Sequence, residues 1–246
     1  MTTSGRKLVH QLAHGVLPVM PKRVGVAIKH MQEMAFWKDR HAADSGELRN
    51  AHYRYFYTSY FDIDVEEYRG RSILDIGCGP RGSLEWANCA KERVGLDPLA
   101  DRYRTLGTAR HRMQYVCAPS EKIPFPDEHF DFVTCFNALD HVEDISRTLS
   151  EVNRIIKKNG TFLLITEINH APTFTEPHSI SEELLDRLSE GYVLSTVRLC
   201  QIRGDHDVYG SLRDNIPYTG GSDAGPGLLS AKMIKKVGES APCREN

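Results

Sequence analysis

Residues 72–82 read Ser-Ile-Leu-Asp-Ile-Gly-Cys-Gly-Pro-Arg-Gly. Ile73, Leu74 and Ile76 make a short apolar run of the kind that forms a buried parallel strand. Gly77, Gly79 and Gly82 follow in the order G-x-G-x-x-G, where such a strand turns into a helix. Glycine takes positive φ without a Cβ penalty and lets a ligand come close to the main chain. A helix predicted over 82–90 would aim its free N–H groups and the positive end of its dipole at that ligand. Residues 93–97, Arg-Val-Gly-Leu-Asp, read as a second strand ending in an acid. From Gly77 to Asp97 is 97 − 77 = 20 positions, the spacing at which an acid reaches a ribose diol.

That pattern points to a nucleoside cofactor, and two kinds compete. A dinucleotide brings the negative charge of a pyrophosphate to the glycine turn. S-adenosylmethionine brings an ammonium and a sulfonium. Asp75 lies two residues before Gly77, and a carboxylate there repels a pyrophosphate but suits a cation. A lone glycine pattern can also be a plain turn; Asp75 and Asp97 together argue against that.

Four stretches, in order, resemble class I S-adenosylmethionine-dependent methyltransferases. Residues 74–80, Leu-Asp-Ile-Gly-Cys-Gly-Pro, are similar to their first motif, and 95–97, Gly-Leu-Asp, to their ribose-binding acid. Residues 120–133, Ser-Glu-Lys-Ile-Pro-Phe-Pro-Asp-Glu-His-Phe-Asp-Phe-Val, resemble their adenine-side loop and fourth strand. Residues 149–160, Leu-Ser-Glu-Val-Asn-Arg-Ile-Ile-Lys-Lys-Asn-Gly, resemble the helix before their fifth strand. The match covers about 68–166 and is most like the small-molecule, type 11-like branch. The resemblance implies an α/β, Rossmann-like seven-stranded sheet, parallel except for an antiparallel last strand, in the order 3-2-1-4-5-7-6. It implies S-adenosylmethionine held by Asp75, Gly77, Cys78 and Gly79 at the turn, by Asp97 and Pro98 after the second strand, by Ser120 and Glu121 on the adenine side and by Asn137 at the methionine end. Arg81 either pairs with the cofactor carboxylate or an anionic substrate, or points to solvent.

Composition bounds the rest. The chain has 246 residues, 40% hydrophobic and 26% charged, enough for one large core with an added cap. The division expected is a helical cap over 1–62, a Rossmann-like domain over 63–237 and a loose tail over 238–246. A net charge of −2 gives no global field for nucleic acid. No apolar run approaches the roughly 20 residues of a membrane span, and the start shows no clear secretory signal. Six cysteines without paired spacing read as small core residues of a cytoplasmic protein.

Residues 1–32 hold five Lys and Arg and no acid, with Leu8, Leu12, Val16 and Leu17 at rough helical spacing. They read either as a basic amphipathic piece giving weak peripheral contact with an anionic membrane, or as a helix packed on the domain. The aromatics of 31–62 read as helices buried against the sheet that also roof the cofactor. Further elements are predicted as helices over 99–107, 142–158 and 181–188, strands over 113–117, 130–136, 161–166, 192–202 and 228–235, and a long loop over 204–227. In this scheme Lys157 and Lys158 sit in a last helical turn and Gly160 caps it.

Methyl transfer is an in-line displacement on an already activated cofactor, so the protein mainly aligns the acceptor and excludes water. A hydroxyl acceptor also needs a base. Three histidines fall on loops after the fourth and fifth strands: His178, His170 and His141. His178 is favoured because Pro177 and Glu176 can hold its ring; packing or capping is the alternative for each. Asp205-His-Asp207 has metal-donor chemistry, but a polar trio in a long loop is ordinarily solvated, so no metal is expected. The activity implied by the resemblance is methyl transfer to an oxygen or nitrogen of a small molecule, with a sugar or glycan precursor suggested by a resemblance within residues 170–178. A nicotinamide-dependent oxidoreductase is the rival, though no Tyr is followed four residues later by Lys. A cofactor-binding module without turnover is the third reading.

Overall fold

The computed structural model describes residues 22–204, 207–220 and 225–237. The readings made for residues 1–21, for Asp205 and His206, and for the tail lie outside these. Strand β1 (Ser72–Ile76) is buried along its whole length and pairs in parallel with β2 (Glu92–Leu96) and β4 (Phe130–Phe136). β2 carries β3 (Gln114–Val116), and β4 carries β5 (Ile156–Ile168), again in parallel. β7 (Gly227–Lys235) inserts antiparallel between β5 and β6 (Tyr192–Gln201), which gives the order β3-β2-β1-β4-β5-β7-β6. The expected Rossmann-like sheet is thus present with its antiparallel strand.

Alternate strand residues feed two cores, because successive side chains point to opposite faces. Leu74, Ile76, Val133, Cys135, Phe162 and Leu164 face one side, where helix α3 (Ile145–Ile155) lays down Val152 and Ile155. Ile73, Phe132, Phe136, Leu163 and Ile165 face the other. There the aromatic stretch ends its run: α2 (Tyr53–Tyr57) and the turns after it bury Phe56, Tyr57, Phe61 and Tyr68 against the sheet. The long helix α1 (Lys22–Ala43) starts just after Pro21 and packs Met34 and Trp37 on Leu99, Tyr103 and Leu106.

Five stretches differ from expectation. Residues 82–90 form successive turns, not a helix: Glu85 N bonds Gly82 O, and Ala87 N bonds Leu84 O. Gly82, Ser83, Trp86 and Asn88 are weak helix formers, and Arg93 Nη1 takes the carbonyls of Leu84 and Glu85 that a helix would use. No helix dipole therefore points at the glycine turn from this segment. In the 99–107 stretch a short 3-10 turn (Arg102–Leu106) replaces the α-helix and ends at left-handed Gly107. Helix α3 stops at Ile155 because the amides of Glu128 and His129 bond the carbonyls of Arg154 and Ile155. The chain passes straight into β5, so Lys157, Lys158 and Gly160 belong to a strand; Lys157 Nζ reaches Asp131 Oδ2 at 2.8 Å. Finally, the 204–227 loop contains helix α5 (Val208–Asp214), capped by Asp207 Oδ1 on Gly210 N at 3.0 Å. The 181–188 helix lies slightly later, as α4 (Leu184–Gly191).

Candidate active site

The glycine turn leaves β1 with Gly77 and Gly79 both at positive φ, 68° and 56°. A side chain at Gly77 would run into the Cβ of Ala138, which follows β4. A Cβ at Gly79 would lie 2.8 Å from the Trp37 ring. Helix α1 thus lies over the turn, in keeping with a roof. Trp37 is held there by Glu33, which accepts from its Nε1 at 3.1 Å, and by the Arg81 guanidinium 5.7 Å above the ring. Arg81 does not point freely to solvent. It pairs with Asp44 at 3.0 Å and donates to Arg49 O, tying the turn to the cap.

Asp75 is 2% exposed and sits beneath the turn. Its carboxylate accepts from Ser83 at 2.5 Å, Thr134 at 2.6 Å and Tyr57 at 3.0 Å. Burial pushes it up to about 6, and the three hydroxyls hold it back from rising further. Asp97 follows β2 and joins it to the turn, accepting from Leu99 N at 2.8 Å and Gly79 N at 3.2 Å. Burial raises it, too, to about 6, against the pull of those amides. Cys78 is buried against Gly95, and burial drives its thiol well up. Pro98 is exposed, and its carbonyl accepts from Cys117 Sγ.

On the adenine side Ser120 Oγ bonds Thr148 Oγ1 at 2.9 Å, and Glu121 Oε1 accepts from the amides of Glu143 and Asp144. These side chains brace the loop before α3. Asn137 follows β4 in the left-handed region, and its buried Oδ1 has no partner.

The second half of the site lies after β4 and β5. A 3-10 turn (Leu139–His141) presents Asp140 and His141. The loop after β5 brings His170, Glu176 and His178 against them. His170 Nε2 is 3.6 Å from Asp140 Oδ2, and His141 Nε2 is 3.7 Å from Glu176 Oε1. Burial is the main cause raising Asp140. His178 Nε2 donates to Val142 O at 2.8 Å. Val142, not Glu176, therefore sets its tautomer and leaves Nδ1 as the basic nitrogen; Glu176 turns to His141 and Thr173. From α1, Lys29 donates to His141 O and pairs with Glu143. Among the described residues, no helix is long and apolar enough to cross a membrane.

Sequence reasoning singled out every residue of the expected lists that the structure brings here. It did not pick Trp37 or Tyr57 out of the aromatic stripe, nor Ser83 and Thr134 as partners of Asp75. Nothing local marks them, since each acts on a residue distant in sequence.

A family described as methyltransferase domain matches residues 74–164. Among curated proteins, the chain is 26% identical to the uncharacterised methyltransferase YcgJ of Bacillus subtilis, over 46% of this chain and 51% of that protein. It is 32% identical to the ubiquinone/menaquinone biosynthesis C-methyltransferase UbiE of Ectopseudomonas mendocina, over 63% of this chain and 62% of that one. The chain thus spans between half and two thirds of these relatives. The crystal structure of YcgJ shares the fold, with a TM-score of 0.53 and 18% identity over 71% of this chain and 97% of that one. Residues 74–164 are thus similar to methyltransferase domains, and the fold is the one YcgJ shares.

Proposed function

We propose that this domain binds S-adenosylmethionine and moves its methyl group to an oxygen, or less readily a nitrogen, of a small molecule. The observation that carries the reading is that two chemically different half-sites meet at one edge of the sheet. The glycine turn and Asp97 follow β1 and β2, while the acid–imidazole cluster follows β4 and β5. Ligands of open α/β sheets bind at the carboxyl ends of the strands.

In this reading Asp97 takes the ribose hydroxyls, Gly77, Cys78, Gly79 and Pro98 line the nucleoside, and the 120–121 main chain meets adenine. The unpartnered Asn137 Oδ1 accepts from the cofactor ammonium. Asp75 shapes the turn through its three hydroxyls and adds negative potential beneath it. Residues 22–62 act as a cap, with Trp37 as the roof over the turn. The acceptor loses its proton to His178 through Nδ1, with His170 next in order and His141 third. The loop over 170–178 contacts the acceptor, for which a sugar or glycan precursor is the class favoured. The described cysteines are free, which suits a cytoplasmic setting.

A second reading is carbon methylation, favoured by the likeness to a C-methyltransferase. The same bases would deprotonate a phenol and make its ring carbon nucleophilic. Native mass spectrometry of the purified chain for bound nucleosides, followed by an acceptor screen for S-adenosylhomocysteine release, tests the proposal. Product NMR separates O-, N- and C-methyl groups. No release with any acceptor class, despite bound cofactor, would favour a module without turnover.

A further inference from the structure

We propose that Asp140, His141 and Glu176 bind one divalent transition-metal cation at the acceptor end of the site. The inference rests on the methyl-transfer reading for its role, not for its geometry.

One ligand atom from each of the three side chains lies within 4.8 Å of the others. Metal–ligand bonds of about 2.0–2.2 Å put neighbouring donors roughly 3–4 Å apart. The His141–Glu176 pair is already at 3.7 Å, so small side-chain rotations close the set. The residues come from two loops 36 positions apart, 176 − 140, brought together because β4 and β5 are paired.

The cluster also lacks something. Asp140 is 3% exposed, and its Oδ1 has no hydrogen-bond partner. A buried carboxylate without full pairing is costly. The ionisable groups that act on it are His141 and His170, which draw its pKa down, and Glu176, which is another acid. His170 adds a second orphan. Its Nδ1 donates to the Ala171 carbonyl at 3.1 Å, so in the neutral ring Nε2 carries a lone pair. That Nε2 is buried, unpartnered, and 3.6 Å from Asp140 Oδ2. A cation on Asp140 neutralises the carboxylate and gives His170 a charged neighbour to orient against.

One imidazole with two carboxylates suits Mn²⁺, Co²⁺ or Zn²⁺ better than a soft ion. With three protein ligands, positions remain open for an acceptor oxygen. A bound hydroxyl has a lowered pKa and keeps lone pairs for attack. A bound amine spends its only lone pair on the metal, so the site selects oxygen acceptors over nitrogen. The acceptor O–H proton passes to a histidine and its oxygen bonds the methyl carbon. The C–S bond breaks with its electron pair left on sulfur, giving a methyl ether and S-adenosylhomocysteine.

The test is a Mn²⁺ titration of the chelator-treated full chain, read by loss of the free-ion EPR signal, with Co²⁺ absorption as a second probe. Asp140→Asn and Glu176→Gln are titrated alongside, with folding checked by circular dichroism and S-adenosylhomocysteine binding measured on the same samples. One ion per chain is expected, with affinity at least tenfold weaker in each variant and S-adenosylhomocysteine binding unchanged. Glu176 is half-buried, so its variant remains informative if the Asp140 variant does not fold. Wild-type protein that leaves Mn²⁺ and Co²⁺ free, or variants that bind them as well as wild type, overturns the site; a proton on His170 then balances Asp140. Ion binding without S-adenosylhomocysteine binding would instead sink the methyl-transfer reading and leave the ion site standing.

Discussion

Replacing Asp75 by asparagine and, separately, by alanine probes the buried centre of the glycine turn. Asparagine can keep every bond. Its oxygen replaces Oδ2 and accepts from Tyr57 and Ser83; its amide faces Thr134 Oγ1, whose hydroxyl turns to Leu74 O, 3.3 Å away. Alanine leaves the Tyr57 and Ser83 hydroxyls without an acceptor where water does not reach. At about 1–3 kcal/mol for each unsatisfied group, the loss is about 2–6 kcal/mol. The carboxylate carries its own cost. Raised from 3.8 to about 6 by burial, it opposes folding at neutral pH by at most about 3 kcal/mol. A raised carboxylate contributes stability fully below its unfolded value of 3.8 and loses it as pH rises through about 6. The asparagine variant should therefore match wild type near pH 4 and gain on it by pH 7. Urea unfolding at both pH values, followed by circular dichroism, measures this. An alanine variant within about 1 kcal/mol of wild type near pH 4, where the carboxyl is neutral and its charge cost is absent, would refute the reasoning, since that is the floor for a single unsatisfied buried hydroxyl.

Asp97→Ala should cost about 2–4 kcal/mol of S-adenosylhomocysteine affinity by calorimetry, the worth of charge-assisted bonds partly replaced by water; an unchanged dissociation constant in a folded variant contradicts the ribose role. Because Asp97 is raised to about 6, wild-type affinity should fall as pH drops below that value, while Asp97→Asn shows no such fall. Trp37→Ala removes the ring that lies against Gly79, so stopped-flow association and release of S-adenosylhomocysteine should both quicken; unchanged rates would mean that the ring does not stand in the cofactor's path. His178→Ala should lower turnover by about 10²–10⁴-fold with cofactor affinity kept, as for a general base. If it and His170→Ala each stay within about threefold, below the roughly hundredfold floor for such a base, neither is the base, and an amine acceptor or catalysis by alignment alone is the better reading.

The sheet was legible where a residue's neighbours in sequence decide its state. β4 is Phe130–Phe136, as its alternating aromatic run implies, and the turn of β1 follows from its glycines. The strand order came from family resemblance, because pairing across long crossovers leaves no local mark. Misreadings arose where distant groups intervene. Gly160 reads as a helix cap, but the amides of residues 128 and 129 end α3 at Ile155, five residues earlier. The guanidinium of Arg93 unmakes the helix expected at 82–90. In the site, the candidate side chains were all visible as residue types. Their partners were not: Trp37 meets Gly79 across 42 positions, 79 − 37, and Tyr57 meets Asp75 across 18.

The most direct test of the central claim is calorimetric titration of the wild-type chain with S-adenosylhomocysteine and, in parallel, with NAD. The site built on Gly77, Gly79 and Asp97 predicts one molecule of S-adenosylhomocysteine per chain, a raised melting temperature from binding to the native state, and no heat with NAD. Tight NAD binding without S-adenosylhomocysteine binding would contradict it.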